Sequence, residues 1–581
     1  MSTIFSTELS LTTHRLVERF NQPQYQGCTI EAWLFADKKH RKAAEQAFFQ
    51  HNIKAIFRSA YKPLVHFFLE DIPYKKELIE NIKVFYPIHC KASEKRFLLE
   101  AYPLAVMMKD QNIEFIGNPQ QQGFYDVHLV LNSGESLQYQ IFAPNHVQQS
   151  VIQEEHLSPT GWLKVYHPEK GVLEDSRLVT DYEELFEQAI NAICQHPWQQ
   201  QEPYFKELQI LVKLPYEDQS LDFEHEIISL REALHEDLYF SILEWFKVKS
   251  GYHAHGREGQ VGHIVPNIVF TEEVQSSVQI SLEDYQLESS KGLQSLVNCQ
   301  HAISVEQAKA ELSIISGVDF SAQTITGRKL QGRYHKGSDQ AVMISCGQHA
   351  NETSGVVGGL LAAQYLAQQP YSHFSICPLE NPDGYELHQR LIKENPNHMH
   401  HAARYTALGD DLEYRNQAPW YEKEIRQKAK QLSEASLHIN LHGYPSHEWT
   451  RPLSGYVPQG FDMWTIPKGF FLILRHSHEQ AWQDYVEKFL PFVTARLTQI
   501  PGLMTFNQQQ IELYKQHAGE SNFHFVNDIP CLISQVDNPD VPVQLVTEFP
   551  DETIYGDDFV FAHQVQMTTV LAAYEAHQLF A

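Results

Sequence analysis

Cysteine is scarce in this 581-residue chain: seven residues (Cys28, Cys90, Cys194, Cys299, Cys346, Cys377 and Cys531) lie far apart, with no CxxC pair. Their spacing excludes a thiolate metal cluster and a disulfide framework, and predicts reduced, mostly buried thiols. No apolar run approaches the ~18 residues that would span a bilayer, and Phe470-Phe471-Leu472-Ile473-Leu474 is far too short. Positive charge is also in deficit. With 45 Lys and Arg against 72 Asp and Glu, the formal charge is −27, and no basic stripe interleaved with aromatics offsets it. Neither nucleic acid nor a membrane is therefore expected as a partner. The N-terminal residues lack a basic segment followed by an apolar one, so a secretory signal is not expected and a cytoplasmic location is. GxSxG and HExxH are both missing, which disfavours serine-hydrolase and zincin chemistry.

What is present reads as a globular protein, because 43% hydrophobic and 20% charged residues suit neither a disordered nor a membrane chain. The length predicts two or three domains. Residues 29–35, 38–51 and 53–57 suggest strand, helix and strand; Val127–Leu131 and Leu137–Ile141 flank Asn132-Ser133-Gly134 as a hairpin. A helix over Ser229–Lys247 follows from the stripe Leu230, Leu234, Leu238, Tyr239, Ile242, Leu243 and Phe246. Within it, His235-Glu236-Asp237 reads as a solvated face, since the pattern of two ligands one turn apart is not completed. The polar stretch Leu282–Glu306 marks a boundary. Expected units are a small α/β domain (1–120), an α+β middle region (121–305) and a catalytic domain (306–581).

From about residue 322, strands alternate with helices in the pattern of a mostly parallel sheet. Strands are predicted at 341–346, 374–379, 436–441 and 543–547, each with candidate functional residues at or just past its C-terminal end. Ligands bind there in open α/β sheets. His349 and Glu352, three positions apart after an apolar strand, can share one ion; His442 supplies a second imidazole from another strand end. Two imidazoles and a carboxylate form a catalytic zinc set that leaves a position open, which predicts one Zn2+ per chain. Glu548 is left as a free carboxylate placed to act as general base.

These residues resemble those of the M14 family of zinc metallocarboxypeptidases: His349 and Glu352 as its HxxE ligands, Asn381-Pro382-Asp383-Gly384-Tyr385 as a turn after a central strand, His442 as third ligand and Glu548 as catalytic glutamate. The resemblance covers roughly residues 320–575 and implies an α/β/α domain with a mixed eight-stranded sheet. It also implies that an Asn-Arg pair should hold the substrate's terminal carboxylate, where this chain instead reads Asp411-Leu412-Glu413-Tyr414-Arg415-Asn416. Arg415 then becomes the candidate carboxylate fork, and Glu413 a candidate for a substrate amine. For the arginine that stabilises the oxyanion, direct counting reaches Pro396, so Arg404 is selected, with Arg390 as the alternative. The specificity pocket is expected within Val526–Val541, where Ile533 would suit an apolar side chain and Asp537 or Asp540 a basic one.

Other motifs read as decoys. Gly327–Gly332 has the glycine spacing of a P-loop but continues with Arg333-Tyr334. His398-Met399-His400-His401 and His253-Ala254-His255 read as solvated loop histidines. Three functions remain, each with a peptide or small amide as partner. The first is a zinc peptidase that removes C-terminal residues; the second is a zinc amidohydrolase or deacylase acting on a modified amino acid or cell-wall peptide. The third is a non-catalytic binding protein with a degenerate site, against which the intact His349, Glu352, His442 and Glu548 count.

Overall fold

A computed structural model of the chain describes residues 2–120, 123–458, 461–537 and 539–581. In the N-terminal half, Thr29–Leu34 and Lys54–Ser59 pair in parallel around the helix Lys38–Phe49, whose first turn is capped by the Asp37 side chain accepting from the His40 N–H. Trp162–His167 and Gly171–Arg177 complete that sheet. A second sheet contains Ile79–Pro87, Asn112–Asn118, Phe124–Leu131 and Ser136–Phe142, the last two forming the predicted hairpin with Gly134 at φ +84°. Strands of this sheet lie on both sides of residue 120. A third sheet pairs Ser2–Ser10 with Gln275–Glu283, so the start of the chain closes on the end of this half.

The helix α1 (Leu230–Lys249) starts at Ser229, whose side chain accepts from the Glu232 N–H. It is buried along nearly its whole length. His235, Glu236 and Asp237 are at most 3% exposed, which corrects their reading as a solvated face. Leu234, Leu238, Ile242 and Phe246 enter the N-terminal core, while the polar face docks on later segments. There Glu236 meets His401, Asp237 accepts from the Leu453 N–H, and Glu244 pairs with Arg451. Buried polar groups are tolerated when they are hydrogen-bonded or paired in this way.

The C-terminal half is built on nine strands: β1 (Val318–Gln323), β2 (Lys329–His335), β3 (Val342–Cys346), β4 (Phe374–Cys377), β5 (Leu437–Pro445), β6 (Phe471–Ser477), β7 (His524–Val526), β8 (Ile529–Val536) and β9 (Val543–Glu552). Their spatial order is β1-β2-β4-β3-β5-β9-β6-β8-β7. The sheet is mixed, as the resemblance implied, with one strand more than the eight implied. Four of the eight neighbouring pairs are antiparallel, correcting the expectation of a mostly parallel sheet: β1-β2 is a hairpin, β2 opposes β4, and β6 and β7 run against β9 and β8. Gly327, the decoy glycine, lies at φ +88° between β1 and β2.

Strand β3 is buried on both faces. Val342, Ile344 and Cys346 pack on the side of α2 (Ser354–Leu366) and α4 (Asp557–Phe580), whereas Met343 faces the side of the helix Glu424–Ser433. A β-carbon on Gly358 would sit 2.6 Å from Gln566 Cβ and 2.7 Å from the His563 carbonyl, so glycine permits the close approach of α2 to α4. Between them in chain order, α3 (Pro382–Leu391) begins at Asn381, whose side chain accepts from the Gly384 N–H.

Candidate metal centre

The chain leaves β3 through Gly347 at φ +61° and carries His349 and Glu352 in the turn that precedes α2. His442 lies on β5 and Glu548 on the adjacent β9, in register with each other. The three candidate ligands are buried, at 7%, 2% and 5% exposure. His349 Nδ1 lies 2.8 Å from Glu352 Oε1, His442 Nδ1 lies 2.9 Å from Glu352 Oε2, and the two Nδ1 atoms face each other at 3.1 Å. Two nitrogens bound at ~2.05 Å to one tetrahedral ion stand ~3.3 Å apart. The donor set therefore fits a zinc ion, and these three residues could hold one together.

Supports for these side chains converge from several elements. The Gly443 N–H donates to Glu352 Oε2 at 3.0 Å. His349 Nε2 lies 3.2 Å from Asp411 Oδ2, the carboxylate–imidazole contact that orients a metal-ligating histidine. Burial would raise the Asp411 carboxyl, but His349 beside it and the Glu413 N–H hold it well below the usual carboxylate range.

Glu548 is 7% exposed, and its Oε2 has no hydrogen-bond partner among the described residues. Burial first, then the neighbouring Glu352 carboxylate, push it well above the usual carboxylate range. A buried orphan oxygen beside the ligand cluster can exchange a proton. Arg404 Nη1 reaches Glu352 Oε1 at 2.6 Å and lies 3.7 Å from Glu552 Oε1. Lys468, buried over the rings of Tyr444 and Trp464, is lowered to about 7 by desolvation.

Two of the arginines selected from sequence are not brought here. Arg415 is fully engaged by Asp410 at 2.6 Å and Glu422 at 2.5 Å, and Arg390 pairs with Glu207 at 3.0 Å. Their donors are directed into these ion pairs, and neither residue lines the cavity around the ligands. Glu413 does line the cleft, but it is claimed by Arg426 at 2.7 Å and Arg475 at 3.2 Å, which hold it at about 2 against the effect of burial. In the segment expected to form the specificity pocket, Ile533 points outward at 39% exposure and Asp537 pairs with His478 on the surface.

Sequence reasoning missed several contributors. Asp411 was quoted only as part of a motif, and its pairing with His349 has no signal in spacing. His398, His400 and His401 are buried, correcting their reading as solvated: His398 meets Asp218 at 2.7 Å, and His401 meets Glu236. Around the ligands opens a cavity of about 140 Å³ that Arg257, Trp449, Phe461, Trp464 and Arg475 help to line. Arg257 comes from the N-terminal half, which therefore forms part of the cleft wall.

A buried His-Glu-His cluster at the edge of a mixed α/β sheet, with an unpartnered carboxylate beside it, defines a zinc-hydrolase type of centre. The family model described as zinc carboxypeptidase, M14, matches residues 303–444, which contain all three ligands. Residues 303–444 thus belong to an M14-type zinc carboxypeptidase domain. A comparison with curated proteins gave no match. Among solved structures, a metallo-carboxypeptidase from Burkholderia cenocepacia is similar at 13% identity and TM-score 0.29, covering 52% of this chain and 76% of its own. Carboxypeptidase A from Helicoverpa armigera gives 9%, 0.30, 55% and 90% in the same order. The murein-tripeptide amidase MpaA from Escherichia coli O157 gives 13%, 0.24, 45% and 95%.

Proposed function

We propose that the protein is a zinc-dependent hydrolase that cleaves the bond to a C-terminal amino acid of a peptide. The observation that carries this reading is the convergence of His349, Glu352 and His442 within ligand distance of one another, with the orphan Glu548 oxygen at the same sheet edge. A zinc ion held there would supply Lewis acidity for the carbonyl and for a water molecule. Glu548 takes the proton of the attacking water and delivers it to the leaving nitrogen, a task suited to a carboxylate that burial raises above its ordinary range. Arg404 offers guanidinium donors to the carbonyl oxygen as negative charge develops on it. Apolar and aromatic walls, including Tyr444, Trp449 and Trp464, exclude bulk water and strengthen both interactions.

A set of N-acylated dipeptides with free and amidated C-termini, incubated with zinc-loaded protein, tests the reading. Release of the C-terminal residue from the free acids, lost in Glu548→Gln with zinc retained, is expected. Turnover that survives this substitution would show that another group is the base.

A second reading, a zinc amidohydrolase or deacylase acting on an acylated or modified amino acid or a cell-wall peptide, is favoured by one observation. Arg415, the candidate carboxylate fork, is consumed by Asp410 and Glu422. Equal hydrolysis of free and amidated substrates would select it.

A further inference from the structure

A cavity of about 430 Å³ adjoins the metal cleft and shares Glu413, Arg475 and Gln544 with it. Alternate residues of a strand face one side. On β9, Glu548, Val546 and Gln544 therefore line up, opposite Phe471, Ile473 and Arg475 of β6 in register. This double row leads from the proposed base to Arg475, four residues or ~13 Å along the strand.

The charges along that path are unequal in their commitments. Arg415 and Arg426 also line the larger cavity, but their carboxylates lie to hand: Asp410 and Glu422 for the first, Glu380 for the second, with Arg426 bonding Glu380 at 2.6 and 2.9 Å. Among the described residues Arg475 has only longer contacts, 3.2 Å to Glu413 Oε1 and 3.3 Å to Gln544 Oε1, and that glutamate already serves Arg426. The Lys423 ammonium also converges there, donating to the Glu413 backbone oxygen at 2.9 Å. Lys430 lines the same wall, and of the carboxylates only Glu413 and Asp540 do. In a chain of formal charge −27, a cation-rich pocket runs against the average field and attracts an anion locally.

We infer that the leaving residue of the substrate bears a side-chain carboxylate, received by Arg475 with Lys423 behind it. The inference rests on the peptidase reading of the adjoining site, and it names Arg475 as the residue that sets specificity. A planar guanidinium with only two long contacts retains donors for a bidentate carboxylate, whereas the compact Lys423 contributes charge.

The test uses zinc-loaded full-length Glu548→Gln protein and calorimetric titration with N-acetyl-Ala-Glu, N-acetyl-Ala-Gln and the C-terminal amides of both. Binding of the Glu peptide is expected to exceed that of the Gln peptide by at least about tenfold. Adding Arg475→Met should erase that ratio while leaving the Gln peptide within about twofold of its former affinity, and Arg475→Lys should restore part of it. Equal binding of Glu and Gln peptides overturns the inference, as does a ratio that survives Arg475→Met or failure of every peptide to bind. A preference for free acids over amides without a Glu/Gln difference assigns the pocket to the main-chain carboxylate and also overturns it. Wild-type protein that hydrolyses none of the peptides, with the Glu/Gln binding ratio intact, sinks the peptidase reading alone.

Discussion

Replacing Asp411 by Asn separates orientation of a ligand from its charge. With His349 Nδ1 turned into the ligand cluster, Nε2 must carry the proton, and it points at Asp411 Oδ2 across 3.2 Å. The other carboxylate oxygen accepts from Gln348 Nε2 and from the Glu413 N–H, both at 3.0 Å. Asn keeps the size and an acceptor, so the imidazole remains in place, but it removes the negative charge that raises the basicity of His349. Loss of such an outer partner weakens metal affinity by about 10- to 100-fold, which is about 1.4–2.7 kcal/mol. Competition for zinc against a chromophoric chelator measures it directly, with a thermal midpoint as control for the fold. Asp411→Ala should weaken binding further, because it also abandons the acceptor. Zinc affinity in Asp411→Asn within about twofold of wild type would refute the reasoning and make Asp411 a structural cap of its turn.

Other consequences can be measured independently. Arg404→Ala should lower kcat by about 10²–10³ with a smaller change in KM, as expected for a donor engaged in the transition state; an unchanged kcat on a cleaved substrate removes it from that role. Lys468 titrates near 7 in the fold against about 10.4 in an unfolded chain. Between those values the unfolded state binds more protons, so stability rises with pH across the window and is lost as pH falls from about 10 to 7. Lys468→Met should remove that slope, a difference of order 4 kcal/mol between the window's ends, and urea midpoints of both proteins at pH 7 and 9.5 check it; parallel profiles would contradict the burial argument. Arg451→Ala strands the buried Glu244, to which the guanidinium donates at 3.1 Å. About 3–5 kcal/mol of stability should be lost, read by urea unfolding, with partial recovery in Glu244→Leu/Arg451→Met; a loss below about 1 kcal/mol would show that α1 does not depend on this pair.

The legible parts of the chain are those where a local pattern and a tertiary role coincide. Strand β3 reads as an almost wholly apolar run because helices cover both its faces, and the hairpin at Asn132-Ser133-Gly134 is dictated by the backbone its turn requires. His349 and Glu352 are linked by three positions of sequence, so their pairing is visible without the fold. The polar residues of α1 were not legible. His235, Glu236 and Asp237 carry the same composition whether they face water or a partner segment more than 160 residues away, and hydropathy registers charge without its counterion.

The sequence by itself determined the ligand chemistry, two imidazoles with one carboxylate beside a spare glutamate, because donor identity is a property of side chains. Only the tertiary structure decided which arginines line the cleft. Arg404, paired with Glu352, and Arg475, paired with Glu413, line the cleft, while Arg390 and Arg415 are bound outside it by Glu207, Asp410 and Glu422. Those partners are set by packing in three dimensions, which the order of residues along the chain does not display.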